Sequence, residues 1–418
     1  MRELLYLTHR MPYPPNKGDK IRSFHLLKYL SQYYRVHLGT FIDDEADWQH
    51  VDAVKAYCGE THFAKLNPAI SRLCSLSGLL TGRALTLPYY QNADLQHWVD
   101  NLLASGSIQH VLIFSSAMAQ YVQHIDDARR VIDFVDIDSD KWNQYAESKH
   151  WPLSWLYRRE GRLLLDYERE VALQFDASLF VSRAEAELFQ QLAPESASKT
   201  SYFSNGVDAD YFSPERVYPK LYSDDEQALV FTGAMDYWPN VDAVRWFSEE
   251  IFPAIFAKFP QARFYIVGSR PNPAVQELAK LPGVVVTGTV ADIRPYLAHA
   301  RLAVAPLRIA RGLQNKVLEA MAMARVVVAS PQAAEGIQAT SGTEFYIADD
   351  NQEYIQIISA LLADQADHMI ASAARGRILK DYDWNNNLMQ VETLLAETSE
   401  PWAAKKLKLA INHKEIQQ

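Results

Sequence analysis

The sequence predicts an α/β protein made of two Rossmann-like domains, and three observations carry that prediction. Short apolar runs alternate with helical patterns almost from end to end, as they do when helices cover parallel sheets. The length of 418 residues suits two domains that each bury a core. Between the halves lies DYFSPERVYPKLYSDDEQ, rich in Pro, Tyr and acid and poor in periodicity. A hinge near Phe212 to Asp225 therefore separates an N-terminal domain, 1–212, from a C-terminal domain, 225–385, with 386–418 as a last helix and basic tail.

In the first half the expected strands are Glu3–Thr8, Arg35–Phe41, Thr61–Leu66, His110–Ser115, Arg130–Asp136, Ala177–Ser182 and Thr200–Ser204, with helices between them. The first helix opens near Asp19 and reads DKIRSFHLLKYLSQ, where Ile21, Phe24, Leu27 and Leu30 make an apolar face. A long helix runs from about Ser154 to Phe175. The second half repeats the rhythm: ALVFTG, a helix over Val241–Lys258, RFYIVGS, a helix ending at Leu281, VVVTGT, a helix over Asp292–Ala300, LAVAPL, the helix that carries Lys316, and VVVAS. Helices over about Glu353–Ala363 and His368–Tyr382 precede DYDW and a final helical stretch.

A formal charge of −10 argues against wholesale nucleic-acid binding. Residues 1–40 depart from that balance, with seven Lys and Arg against Glu3 and Asp19, a local net of +5. Cys58 and Cys74 match no metal or redox spacing, so a reducing cytoplasm is expected. No apolar signal region follows Met1, and no apolar run approaches the roughly 20 residues needed to span a bilayer. No dinucleotide fingerprint, Walker A loop, H-E-x-x-H or G-x-S-x-G occurs.

The richest run is RGLQNKVLEAMAMARVVVAS, Arg311 to Ser330, which reads as loop, helix opening and buried strand. Lys316 and Glu319, three apart in the first turns, can face one ligand, and the free N–H groups of the same turn favour an anion. A phosphate beside a polyol suits such a corner, with the helix end and Lys316 on the phosphates and Glu319 accepting from hydroxyls, which is how a nucleotide sugar is held. The plainer alternative is a surface helix with a solvated Lys–Glu pair.

Other loops fall at predicted strand ends, where Rossmann-like sheets bind ligands. PYPPNKGDKIRSF offers Gly18 for close backbone approach and Lys17, Lys20 and Arg22 beside a helix opening; a proline-stiffened turn is its structural alternative. Gly233 in FTGAMDYWPNVDAVRWF can bring backbone to a phosphate. Gly268 ends a strand and Arg270, two positions on, is within reach of a phosphate, while Asp292 is expected to cap a helix. YFSNGVDADYFSP is a turn with positive φ expected at Gly206. DFVDIDSDKW gathers four acids within eight positions; acceptor contacts from Asp136 or Asp138 are favoured over a metal site, with Ser139 or Asp140 capping the next helix. His9, at the end of the first strand, is the histidine placed nearest the cleft, and a packed or capping role is the reading favoured for it.

NKVLEAMAMARVVVAS resembles the donor-binding helix and strand of the family 4 retaining glycosyltransferases, the glycosyl transferases group 1, whose GT-B fold sets two Rossmann-like domains facing across a cleft. NGVD-x-x-x-F-x-P, within Tyr202 to Pro214, resembles the same family's marker between domains. PLRIARGLQNKVLEAMA, SSAMAQYV and DFVDIDSDKW look most like the bacterial sugar transferases associated with PEP-CTERM and exosortase systems of exopolysaccharide assembly. The resemblance implies that Glu319 holds the donor ribose, that the Gly18 loop faces donor phosphates and acceptor, and that Thr289 and Val290 lie beside the base. It places Gly312 and Asn315 in the donor loop with Lys316.

Two departures follow. Relatives grip the diphosphate with Arg and Lys where this chain has Met235 and Asn240, which leaves Lys316, Arg308, Arg311 and the basic N-terminal loop as sources of charge. Relatives also carry a glutamate eight positions before the one matching Glu319, where this chain has Arg311; it supplies diphosphate charge or selects an acidic sugar. The expected activity is metal-independent, retaining transfer from a nucleotide-diphosphate sugar to a carbohydrate or lipid-linked acceptor, without a cofactor, in the cytoplasm. Arg311, Lys316 and Glu319 are the expected catalytic groups. A nucleotide-sugar 2-epimerase and a non-catalytic scaffold subunit are the alternatives. The tail PWAAKKLKLAINHKEIQQ, with Trp151 and Trp155, is a candidate contact for the inner membrane, and a helix packing back onto the first domain is the alternative of at least equal weight.

Overall fold

A computed structural model describes residues 1–15, 17–147, 149–310, 312–363 and 368–397. Two compact units are present: Met1–Ser204 with the described residues from Leu388 on, and Asn205–Asn387. The first holds a parallel sheet of β1 (Arg2–Thr8), β2 (Tyr34–Ile42), β3 (Thr61–Lys65), β4 (Ile108–Phe114), β5 (Arg129–Val135), β6 (Ala177–Phe180) and β7 (Thr200–Tyr202), in the order β3-β2-β1-β4-β5-β6-β7. Helices on both faces bury these strands, which is why Leu4 to Leu7 and Val111 to Ile113 are fully enclosed and read as continuous apolar runs.

The second unit repeats the plan with β8 (Gln227–Thr232), β9 (Ala262–Val267), β10 (Val284–Gly288), β11 (Leu302–Ala305), β12 (Val327–Ala329) and β13 (Tyr346–Ile347), again all parallel, in the order β10-β9-β8-β11-β12-β13. Strand order reverses between β1 and β4 in one sheet and between β8 and β11 in the other. Chain crossovers leave opposite ways at such a point, and a crevice opens beyond the carboxyl ends of the two strands. In the second sheet β8 and β11 pair only at Leu302 with Leu229 and Ala303 with Val230, so their ends part early.

The division between units falls earlier than the sequence suggested. Val207, Phe212 and Tyr222 are buried in the second core, and the Val207 N–H donates to the Tyr382 carbonyl at 2.8 Å, so the segment before Asp225 belongs to the second unit. Residues from Leu388 return to the first unit instead of standing apart, with Leu388, Val391 and Leu395 buried and Arg129 donating to the Leu394 carbonyl and Glu397. Gly206 is required by close approach and not by a positive φ: a Cβ there would meet the Trp384 ring and the Tyr382 carbonyl at 2.8 Å.

The helix Gly18–Leu30 is buried over more than one face, with Phe24, Leu26, Leu27 and Leu30 enclosed and Ile21 only half-buried. Arg22 occupies that wider face, fully buried. The helix Asp138–Glu147 begins before Ser139, so neither Ser139 nor Asp140 caps it; Ser139 instead donates to the Glu168 carboxylate at 2.5 Å. Burial pushes that carboxyl up to about 8.

Candidate functional site

In the second unit, the switch point is built on two glycines. A Cβ on Gly268 would lie 1.6 Å from the Gly233 carbonyl oxygen, so no side chain fits where the ends of β8 and β9 meet. The Gly233 N–H donates to the Val267 carbonyl at 3.0 Å, and the Met235 N–H to the Ser269 carbonyl at 2.7 Å, which fixes the loop over the sheet end. A Cβ on Gly233 would sit 2.7 Å from Asn240 Nδ2 and 3.3 Å from Lys316 Nζ. The bare backbone there is what lets both side chains converge.

Lys316 arrives on the helix Asn315–Ala322, whose Val317, Leu318, Ala320 and Met321 are buried against the sheet. Lys316 and Glu319 occupy the remaining, half-buried stripe one turn apart. Lys316 Nζ donates to Asn240 Oδ1 at 2.5 Å and lies 4.2 Å from the Phe231 ring centre, while Asn240 Nδ2 donates to the Ala234 carbonyl at 2.9 Å. The ammonium is thus held by a neutral amide. Burial lowers the Lys316 pKa to about 7 against the opposing pull of Glu319, and burial raises Glu319 to about 7 against Lys316. Gly312, at φ 63°, turns the chain toward this helix, and no Gln314 side-chain bond caps it. Asn315 Oδ1 is buried with no hydrogen-bond partner among the described residues. The corner can hold an anion at the helix end and a hydroxyl-bearing group beside Glu319.

Other expected donor contacts are spent locally. Arg308 pairs with Asp242, its Nε 3.0 Å from Oδ2, and lies 5.3 Å from the Trp246 ring. Arg270, at φ 52°, pairs with Asp236 at 3.1 Å. Thr289 is exposed and Val290 packs against the core after Gly288. Asp292 accepts from the Arg294 backbone N–H at 2.9 Å and from its guanidinium, closing the start of the helix Arg294–His299 as a cap would. Arg311 lies outside the described residues, as does the tail from Pro401 on.

The first unit corrects the expected basic site. Lys20 is buried and paired with Asp47 at 2.6 Å; Arg22 makes a fork on Asp133 at 2.7 and 3.0 Å, donates to the Phe203 carbonyl at 2.9 Å and lies 3.5 Å from the Phe203 ring centre. Neither reaches a surface where an acceptor could touch it. Arg10 is likewise shared between Asp19 and Asp43. Gly18 is exposed, with no atom within 4 Å of where a Cβ would stand.

A cavity of about 820 Å³ lies at this unit's own switch point, reached by His9 after β1, Phe114 and Ser115 at the end of β4, and Val135 and Asp136 at the end of β5. Ser115 and Val135 take φ of 78° and 71°, which re-aims the chain at both strand ends. Asp136 and Asp138 share Lys141 Nζ at 2.8 and 3.2 Å. Burial works against the Lys141 charge, but the two carboxylates outweigh it and keep the ammonium protonated. His9 stacks on Phe114 at 5.8 Å, and its Nε2 lies 3.6 Å from Asp19. Burial opposes the Asp19 charge, yet His9 and Arg10 hold its carboxyl well below the usual range. Sequence reasoning overlooked Lys141, although it stands inside DFVDIDSDKW, because the acids alone drew a metal or acceptor reading. It also missed the aromatic and apolar wall, in which Trp142 at the end of that run is joined by Tyr90 and Tyr157, which no motif marks. Among the described residues, no cluster of His, Cys, Asp or Glu is arranged to hold a metal ion.

Residues 226–364 match the family model described as Glycosyl transferases group 1. No relative among curated proteins matches the sequence. Similar solved structures include sucrose-phosphate synthase from Thermosynechococcus elongatus, at TM-score 0.66 and 15% identity, covering 94% of this chain and 98% of that one. WaaG, a glycosyltransferase involved in lipopolysaccharide biosynthesis, superposes at TM-score 0.66 and 13% identity over 94% of this chain and 100% of its own. HepE of Anabaena, in complex with UDP and glucose, does so at TM-score 0.62 and 16% identity over 95% and 100%. The chain therefore has the two-domain GT-B fold, and its second unit carries a glycosyl transferases group 1 domain.

Proposed function

We propose that this protein is a glycosyltransferase that moves a sugar from a nucleotide-diphosphate donor onto a carbohydrate or lipid-linked acceptor, with retention and without a metal, in the assembly of an exopolysaccharide or other surface glycan. One observation carries the reading. Lys316 stands at the opening of its helix, between the bare backbone of Gly233 and the amide of Asn240, with Glu319 one turn on. An ammonium whose burial has lowered its proton affinity gains from a dianionic ligand, and a half-buried carboxyl beside it suits ribose hydroxyls. The similarity to HepE, solved with UDP, makes uridine diphosphate the first nucleotide to test.

In this reading the bond from the sugar's anomeric carbon to the donor phosphate breaks. The acceptor oxygen bonds to the same face of that carbon, and its proton passes to the departing phosphate oxygen. Lys316 and the helix N–H groups stabilise the charge that develops on the diphosphate. Arg311 adds positive charge that the Met235 to Asn240 loop lacks. The acceptor binds toward Asp136 and Asp138 in the first unit. Nucleotide release from a panel of nucleotide sugars, with and without acceptor extracts, tests the proposal. Release is expected only with acceptor and unchanged in EDTA. Release without acceptor favours epimerisation, and activity abolished by EDTA and restored by magnesium or manganese contradicts metal independence.

A further inference from the structure

The short helices after β3 are amphipathic the wrong way round for a water-soluble surface. The helix Pro68–Ser75 buries Ser75 and exposes Ile70 and Leu73, and the next helix, Ser77–Thr81, leaves Leu80 93% exposed. Leu76, between them, is also exposed. A second exposed apolar group, Trp151, Leu153 and Trp155, opens the long helix Leu153–Gln174. The two groups share one surface. Arg159 donates to the Gly78 carbonyl at 2.8 Å, and the Glu160 carboxylate accepts from the N–H groups of Leu85 and Thr86 at 2.6 and 2.9 Å.

Charge follows the same surface. No Asp or Glu occurs between Lys65 and Asp94, where Arg72 and Arg83 are exposed. From Lys149 to Arg162 the sole acid is the buried Glu160, while Lys149 and Arg158 are exposed. In a chain of net charge −10, this is a local basic field around exposed leucine and tryptophan, the composition that an anionic bilayer interface recognises. The patch also borders the cavity. Arg72, Leu76 and Leu153 are exposed and line the cavity, which is also lined by Asp136, Asp138 and Lys141. An amphiphile suits that mixed lining, with a polyol against the acids and a hydrocarbon chain against the leucines.

We propose that the first unit docks on an anionic lipid bilayer through residues 70–83 and 149–155, and that its cavity takes the sugar end of a lipid-linked acceptor from that surface. The docking stands independently; the acceptor role rests on the transferase reading. Flotation of the full chain with vesicles of phosphatidylcholine, alone or mixed with phosphatidylglycerol, tests the first part. Binding is expected with the anionic vesicles and should fall about tenfold in Leu73→Asp/Leu80→Asp, whose sites are exposed and outside the cavity. Cys74 gives a second readout: it is exposed on the same helix, whereas burial pushes the Cys58 thiol up to about 12. An environment-sensitive fluorophore on Cys74 should shift to the blue with anionic vesicles. Failure of the parent to float, equal flotation of the variant, or an unshifted fluorophore overturns the docking. So does a dimer in sedimentation that the double variant dissolves, since a second copy would then cover the patch. For the acceptor role, nucleotide release is expected with a membrane-lipid extract, and release only with the water-soluble extract overturns it. Nucleoside diphosphate binding by the double variant should match the parent. If the parent binds no nucleotide yet floats, the transferase reading fails and the docking stands.

Discussion

Arg22 and Lys316 are both basic residues near a helix opening, and the fold uses them in opposite ways. Arg22 has all its charge answered inside the first unit, by a carboxylate 111 positions away and by the carbonyls of Phe180 and Phe203. Arg22→Met should leave Asp133 as an unpaired buried carboxylate and cost roughly 3–5 kcal/mol, read by denaturant unfolding; pairing it with Asp133→Leu should recover much of the loss. A loss below about 1 kcal/mol for the single variant would contradict the buried pair. Among the described residues Lys316 meets a neutral amide, the Phe231 ring and the field of the Glu319 carboxyl, so its proton is labile near pH 7. Its pKa is lowered in the free protein and would rise with a diphosphate beside it. Affinity for a nucleoside diphosphate should therefore weaken as pH climbs through about 7, with proton uptake on binding, measured by calorimetry in buffers of different ionisation enthalpy. Lys316→Arg should flatten that dependence, and an unchanged slope would assign the proton elsewhere.

At the scale of elements, the expected strands formed because parallel strands covered on both faces are apolar runs that a sequence displays directly. What the sequence hid had physical reasons. β13 is two residues long, too short for any pattern, and the helices between Pro68 and Thr81 turn leucines outward, which removes the usual sign of a buried face. Lys20 and Arg22 looked available because their partners, Asp47 and Asp133, lie on other elements. Glycine signals were legible in position but not in cause. Gly268 marked a site, yet only the structure shows the Gly233 carbonyl 1.6 Å from its missing Cβ. Gly268→Ala should separate the ends of β8 and β9, lower stability by roughly 2–4 kcal/mol and remove nucleotide binding, as followed by thermal unfolding with and without nucleotide. A variant as stable as the parent would show that the strand ends have room the geometry denies.

For the whole molecule, two sheets of the same winding each carry a crevice at the point where strand order reverses, and the two crevices differ in chemistry. The second unit offers a helix opening, a cation and bare backbone, while the first offers paired acids, one lysine and an apolar wall. That contrast suits a phosphate-bearing donor on one unit and a hydroxyl-bearing acceptor on the other. It was only half visible in the sequence, where the Lys316 motif is compact but the lining of the first cavity is assembled from segments between His9 and Glu160. Base, sugar and linkage stay unread because backbone groups and cavity shape, not a residue pattern, would select them.

Lys316 and Glu319, one turn apart at the same helix opening, are expected to form one nucleotide site. Calorimetric titration of nucleoside diphosphates into the parent and into a folded Glu319→Ala variant tests it most directly. The parent should bind at least one nucleotide, and the variant should lose on the order of 1–3 kcal/mol of that affinity, the usual effect of removing a charged hydrogen-bond partner. Equal affinity in the two proteins would contradict the site.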